Sequence, residues 1–190
     1  MTHGKSNIKA KILDATAVQR ALNRIAHQIL EHNPNVGDMA LIGIRRRGVP
    51  LALRLARLIR EIEGKEVDIG ILDITLYEED LSPIAEQPVL KKTEVPFRTS
   101  GKTLILVDDV LYTGRTIRKA LDALDGPDRP KAIRVAVLID RGHRELPIHA
   151  DYVGKNVPTA PDEIVDVMLK ETDHEDQVVL RDRANHNARK

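Results

Sequence analysis

The segment Leu104-Ile105-Leu106-Val107-Asp108-Asp109-Val110-Leu111-Tyr112-Thr113-Gly114-Arg115-Thr116 restricts the fold of this chain more than any other. Its first four aliphatic residues read as a strand buried on both faces, the kind found inside a parallel sheet. Two adjacent carboxylates follow and are expected at the strand's carboxyl end. Beyond the Thr113-Gly114-Arg115-Thr116 turn, the spacing of Ile117, Ala120, Leu121 and Leu124 predicts a helix that ends at Gly126-Pro127. A helix start leaves backbone N–H groups unpaired and carries partial positive charge. Gly114 lets the backbone approach a ligand closely, and the threonine hydroxyls add donors, so the turn suits a monophosphate. Asp108 and Asp109 would repel that phosphate. Their expected targets are therefore sugar hydroxyls, a divalent cation or a developing carbocation, and a phosphorylated sugar meets all of these demands. Helix capping accounts for one acid, but not for two followed by such a turn.

The remaining pattern alternates strand and helix. Ala17, Val18, Ala21, Leu22, Ile25, Ala26, Ile29 and Leu30 mark a helix between Asp14 and Glu31, with Arg20, Arg24 and His27 along its polar side. Residues 39–44 read as a buried strand, and Pro50 suits the first turn of a helix carrying Leu51, Leu55, Leu58, Ile59 and Ile62. Residues 67–77 predict one long strand or a bent pair, and 132–139 a core strand, with shorter elements at 151–154, 164–168 and 177–180. This alternation predicts an α/β fold, a mostly parallel central sheet with helices on both faces. One domain over residues 1–190 is expected, with polar tails at 1–7 and 181–190, and the 42% of hydrophobic residues suffice for its core. Residues 78–97, polar and holding Pro83, Pro88 and Pro96, read as a lid loop, with Asp73 and Tyr77 at its root. For Tyr77 a packed strand end explains the residue equally well.

Cysteine is absent, so neither disulfides nor thiolate metal ligands are available. No apolar run is long enough for a signal or a membrane span, and the cytoplasm is the expected compartment. A net charge of +1 excludes a global electrostatic grip on nucleic acid, so any such binding must rest on local clustering.

A second anion site is expected at Gly43-Ile44-Arg45-Arg46-Arg47-Gly48, where two glycines bracket three guanidinium groups between a strand and a helix. Pyrophosphate fits such a loop, and a solvated basic loop is the alternative. Asp140-Arg141-Gly142 ends a third strand at the same sheet edge, where α/β sheets bind ligands.

The run VDDVLYTGRT resembles the phosphoribosyl pyrophosphate (PRPP) signature of type I phosphoribosyltransferases. Together with Asp73-Ile74-Thr75-Leu76-Tyr77 and Asp140-Arg141-Gly142-His143-Arg144-Glu145-Leu146-Pro147-Ile148, it resembles the bacterial pyrimidine-operon regulators of that family that are also uracil phosphoribosyltransferases. The resemblance spans roughly residues 12–180. It implies the type I fold, with a lid hairpin and a small base-binding hood. It further implies Asp108 and Asp109 as the catalytic pair on the ribose. Val110, Leu111, Tyr112, Thr113, Gly114, Arg115 and Thr116 would lie around the 5′-phosphate, and Arg45, Arg46, Arg47 and Gly48 around pyrophosphate, with either Arg45 or Arg46 adding charge. Uracil would meet Ile139, Asp140 and Arg141, mainly through the main chain. Mg²⁺ would be held mainly by PRPP, with Asp108 and Asp109 as the available protein oxygens.

The resemblance also implies a regulatory role. Arg20, Arg24, His27, His143, Arg144, Lys155 and Thr159 stand where these regulators gather an RNA-binding face for the pyrimidine messenger leader, with UMP or UTP favouring the bound state and PRPP opposing it. Asn23 and His149 depart from the expected threonine and arginine. A homodimer or higher homo-oligomer is expected, with no DNA or membrane partner. Arg144 and Glu145 alternatively pair with each other. Two rival functions stand beside this one: a phosphoribosyltransferase for a purine base, and a PRPP-sensing repressor without turnover. The second needs a DNA-binding domain ahead of core strands expected to begin at Met39.

Overall fold

The computed structural model describes residues 8–74, 93–124 and 126–182. Five strands, β2 (Met39–Ile44), β3 (Asp68–Leu72), β4 (Thr103–Leu111), β5 (Ala132–Asp140) and β6 (Tyr152–Asn156), form a sheet in the order β3-β2-β4-β5-β6. Every neighbouring pair in it is parallel. A second sheet, antiparallel and ordered β1-β8-β7, is built from β1 (Ile8–Leu13), β7 (Glu163–Met168) and β8 (Gln177–Asp182).

Helices cover both faces of the parallel sheet, as its uninterrupted apolar strands require. Helix α1 (Ala15–His32) starts at Asp14, whose carboxylate accepts the N–H of Ala17 at 2.8 Å. Its buried Val18, Leu22, Ile25 and Ile29 pack with Leu51, Leu55 and Ile59 of α2 (Gly48–Glu63) over Leu41, Ile105 and Leu138 of the sheet. On the other face, Ile117 and Ala120 of α3 (Arg115–Leu124) close over Ile42, Leu104, Leu106 and Val137. The hood sheet joins the α1 side of the core through Val165, Val167 and Val178. Among the described residues no helix is long and apolar enough to cross a membrane.

One element is added and three expectations change. A further, mostly exposed strand, Ile8–Leu13, precedes the core strands that begin at Met39. Residues 181 and 182, expected in a polar tail, complete β8, where Arg181 lies opposite Ile164 and bonds to Asp166 at 3.1 Å. Strand β4 does not stop before the acids but runs through them to Leu111, because pairing with β5 continues to Leu111 opposite Asp140. Finally, β3 ends at Leu72, and the end of the expected lid returns beside it, Glu94 exchanging backbone hydrogen bonds with Ile71 at 2.8 Å. Tyr77 and most of the lid loop, like the tails 1–7 and 183–190, lie outside the described residues.

Candidate active site

The acidic pair sits on a step in the sheet. On one side, the pairing of β4 with β2 ends with Val107 opposite Gly43. On the other, β5 stays paired for four residues more. Asp108 and Asp109 therefore face the crevice left where β2 gives out, and the loop from Arg45 to Gly48 fills its floor. Gly48 makes that approach possible: a Cβ on it would lie 2.2 Å from the carbonyl oxygen of Val107. The Arg45–Arg46 peptide bond is cis. The resulting cavity, of about 840 Å³, is lined by Arg45, Arg46, Arg47, Asp108, Asp109 and Thr116 among others. The arginine loop, the acidic pair and Thr116 of the expected phosphate turn thus share one space.

Electrostatics in this space are poised. Burial, then repulsion by Asp109, pushes the Asp108 carboxyl well above its usual range. Burial also raises Asp109, while Arg47 pulls it back toward the charged form. Each acid takes one backbone N–H locally, Asp108 that of Asp109 and Asp109 that of Val110, both at 2.9 Å.

The three arginines of the floor have different fates. The Arg45 guanidinium lies 3.4 Å from the fully buried carboxylate of Asp73. Arg47 makes a two-pronged bond to Asp173 at 2.9 and 3.2 Å. Arg46 is exposed on the cavity wall and has no ion pair among the described residues. Asp73, expected at the root of the lid, is therefore a strut of the arginine loop, whose Arg45 N–H also bonds to Leu72 O at 2.9 Å.

Beyond the acids, Gly114 adopts φ +92° where the chain turns into α3. The Thr113 carbonyl accepts the N–H groups of Glu145 and Leu146 at 3.0 and 3.2 Å, so the third loop braces the phosphate turn from behind. The Tyr112 ring carries Arg141 on one face, 4.0 Å from the centroid, and meets His143 edge-on at 5.9 Å. Leu111 is buried and Val110 lines the cavity.

The third loop surrounds a smaller hollow of about 490 Å³, lined by Asp140, Gly142, His143, His149, Asn156 and Thr159 among others. At the strand end expected to meet uracil through its main chain, the side chains of Arg141 and Asp140 bond within the protein. Arg141 is buried and donates to Thr159 Oγ1 at 3.2 Å and to Glu163 O at 2.7 Å, joining β5 to the hood. Asp140 accepts from Gly142 N–H at 3.0 Å and from the guanidinium of Arg144. Burial opposes its charge, yet those two bonds hold its carboxyl below the usual range. The main chain is also partly committed, Asp140 O to Val157 N–H and Arg141 N–H to Leu111 O, while Ile139 is fully buried and lies opposite Val110 and Lys155 in the sheet.

Arg144, expected on the RNA face, is committed inside the protein: it donates to Tyr112 O at 2.7 Å, Ile148 O at 2.8 Å and Gly142 O at 3.2 Å as well as to Asp140. It does not pair with Glu145, whose partner is Arg115 at 2.6 Å. Two local contacts join others of the residues expected there. Arg20, His27 and Lys155 are exposed, Arg24 of α1 donates to the carbonyl of Gly154 in β6, and His143 bonds through Nε2 to Thr159 O at 2.6 Å. Asn23 and His149 are also exposed. Among the described residues no group of three or more His, Asp and Glu is placed to hold a metal ion.

Similarity to known proteins agrees with this geometry. Residues 9–172 match the model of the phosphoribosyl transferase domain. A bifunctional protein PyrR from Pelotomaculum thermopropionicum is 61% identical over 176 residues, covering 93% of this chain and 97% of that protein. Another from Thermus thermophilus is 57% identical over 175 residues, with 92% and 97% covered. Among solved structures, the hypoxanthine phosphoribosyl transferase of Trypanosoma cruzi superposes with a TM-score of 0.71 at 17% identity, over 100% of this chain and 98% of that one. A hypoxanthine-guanine phosphoribosyltransferase from Bacillus anthracis gives 0.68 at 20%, over 92% and 99%. At such identities these two structures speak for the fold alone.

Proposed function

The chain belongs to the phosphoribosyl transferase family, and on that premise we propose that it transfers the phosphoribosyl group of PRPP to uracil, giving UMP and pyrophosphate, and regulates pyrimidine genes by binding their messenger leader RNA. The observation that carries the first activity is the convergence of the acidic pair, the arginine loop and Thr116 at the start of α3 on one cavity.

Each part has one task. The N–H groups at the start of α3, with the hydroxyls of Thr113 and Thr116, bind the 5′-phosphate. Asp108 and Asp109 accept the ribose hydroxyls and stabilise positive charge at C1 as its bond to pyrophosphate breaks. The arginine loop receives the leaving group, Arg46 contributing a guanidinium that has no ion pair among the described residues. Uracil N1 attacks the opposite face of C1, so no covalent enzyme intermediate forms and catalysis is positioning and electrostatics. The buried, mutually repelling acids fit a divalent cation, and Mg²⁺ entering with PRPP would supply charge neutralisation for the pyrophosphate.

The RNA-binding surface is the strip of Arg20, Arg24, His27, Lys155, His143 and Thr159, with Arg144 as its internal support. UMP or UTP favours the RNA-bound form and PRPP opposes it, and a homodimer would present the strip twice. Pyrophosphate release with PRPP and uracil, hypoxanthine or no base tests the enzyme: turnover with uracil alone supports it, and turnover with hypoxanthine alone overturns it. Filter binding of the leader RNA tests the regulator, which predicts tighter binding with UMP and fails if UMP has no effect and unrelated RNA binds equally.

A further inference from the structure

We propose that Asp173, on the short turn α4 (Lys170–Asp173) that links the hood strands β7 and β8, is the positioning residue of the pyrophosphate half-site. The inference rests on reading the large cavity as the PRPP site. Asp173 is far from the acidic pair in sequence and carries none of the motif, yet its carboxylate grips Arg47 through two bonds, to Nη2 at 2.9 Å and to Nε at 3.2 Å. A two-pronged bond fixes the guanidinium plane, which a single contact does not.

The carboxylate is itself immobilised. One of its oxygens accepts the N–H of Leu169 at 3.0 Å and the hydroxyl of Thr172 at 2.6 Å. The turn is anchored separately to α2, where Arg54 bonds to Glu171 at 2.6 and 2.8 Å and to Asp176 at 2.7 Å. The hood thus presents one fixed anion to the loop that opens α2. Although burial opposes its charge, the bonds from Arg47, Thr172 and Leu169 hold the Asp173 carboxyl at about 2, so it stays ionised throughout the neutral range.

The arrangement settles a competition. Arg47 lies on the cavity wall within electrostatic reach of Asp109 as well as Asp173. Released from Asp173, its guanidinium has Asp109 as the next carboxylate available, and an Arg47–Asp109 pair would occupy the acid that faces the ribose. Asp173 therefore keeps the arginine loop in the shape that receives pyrophosphate and leaves Asp109 open. Binding of PRPP and pyrophosphate depends on it. Binding of uracil does not.

The test is steady-state kinetics on Asp173→Asn, which preserves an acceptor for Leu169 but removes the charge. Glu171→Gln is the control, because it weakens the same turn without touching Arg47. Loss of a charge-assisted bond that positions a ligand group should raise KM for PRPP and the inhibition constant of pyrophosphate on the order of tenfold, with KM for uracil little changed. Glu171→Gln should leave all three near wild type, and Asp173→Glu should restore part of the loss. In a double-mutant cycle with Arg47→Lys, the second substitution should add little to the first. Unchanged PRPP and pyrophosphate constants in Asp173→Asn, or an equal rise in Glu171→Gln, overturn the proposal. An inactive wild-type protein would instead overturn the PRPP reading beneath it.

Discussion

Replacing Gly48 with alanine perturbs the point at which the arginine loop rests on β4. The new Cβ would lie 2.2 Å from Val107 O, 3.2 Å from Val107 C and 3.3 Å from Asp108 Cα, against 3.4–4 Å for ordinary contact. All three neighbours are backbone of β4, paired with β5 through Asp108 and with β2 as far as Val107, so β4 yields little. The loop must instead lift by about 1 Å, and overpacking of this kind costs about 1–3 kcal/mol of stability. The same displacement moves the arginine loop away from Asp108 and Asp109, and a misplacement of about 1 Å in a positioned site costs on the order of a hundredfold in rate. Pyrophosphate release at limiting PRPP should report that loss in kcat/KM, while a thermal melt reports the smaller loss of stability. Gly37→Ala, whose Cβ meets only Asn35 Oδ1 at 3.6 Å, should change neither activity nor binding. A Gly48→Ala protein with wild-type kcat/KM would refute the argument that loop and acids share one rigidly spaced cavity.

Other expectations follow from the same geometry. Asp108→Asn should abolish UMP synthesis yet melt no lower than wild type near neutral pH, since burial and Asp109 make the Asp108 charge unfavourable in the folded state. An acid whose folded pKa is raised contributes stability below its unfolded value of about 4 and loses it as pH rises, so melts compared from acidic to neutral pH should show the gap moving in favour of the asparagine. Arg144→Gln should destabilise the protein by about 1–3 kcal/mol, because the partly buried Asp140 carboxylate loses its charged donor, and a denaturant titration measures this directly. Lys155→Gln and Arg20→Gln should weaken leader-RNA binding and flatten its salt dependence while leaving UMP formation intact, as filter binding at two salt concentrations would show.

The strands 39–44 and 132–139 and the helices were legible because buried parallel strands write themselves as apolar runs and helices as three-and-four spacing. The acid pair with its glycine turn was legible for a different reason: chemistry and local backbone demands coincide in one short segment. Ile8–Leu13 is poorly legible although Ile8, Ala10 and Ile12 alternate with Lys9 and Lys11, because an edge strand exposed along most of its length carries little apolar signal. Side-chain allegiance was the hardest to foresee. Arg141 and Arg144 sit in the motif that pointed to ligand binding, yet their guanidinium groups are taken by Glu163 O, Tyr112 O and Asp140, partners that only the folded chain brings within reach. Asp173 lies 126 residues from Arg47, a pairing no local pattern announces.

The central claim is best tested by a crystal structure of the protein with PRPP bound. The 5′-phosphate should sit on the N–H groups of Thr113 to Thr116, the ribose hydroxyls on Asp108 and Asp109, and the pyrophosphate against the backbone from Arg45 to Gly48 with Arg46 turned toward it. A sugar phosphate bound away from the acidic pair, or with its two phosphate ends exchanged between the turn and the arginine loop, would contradict the account.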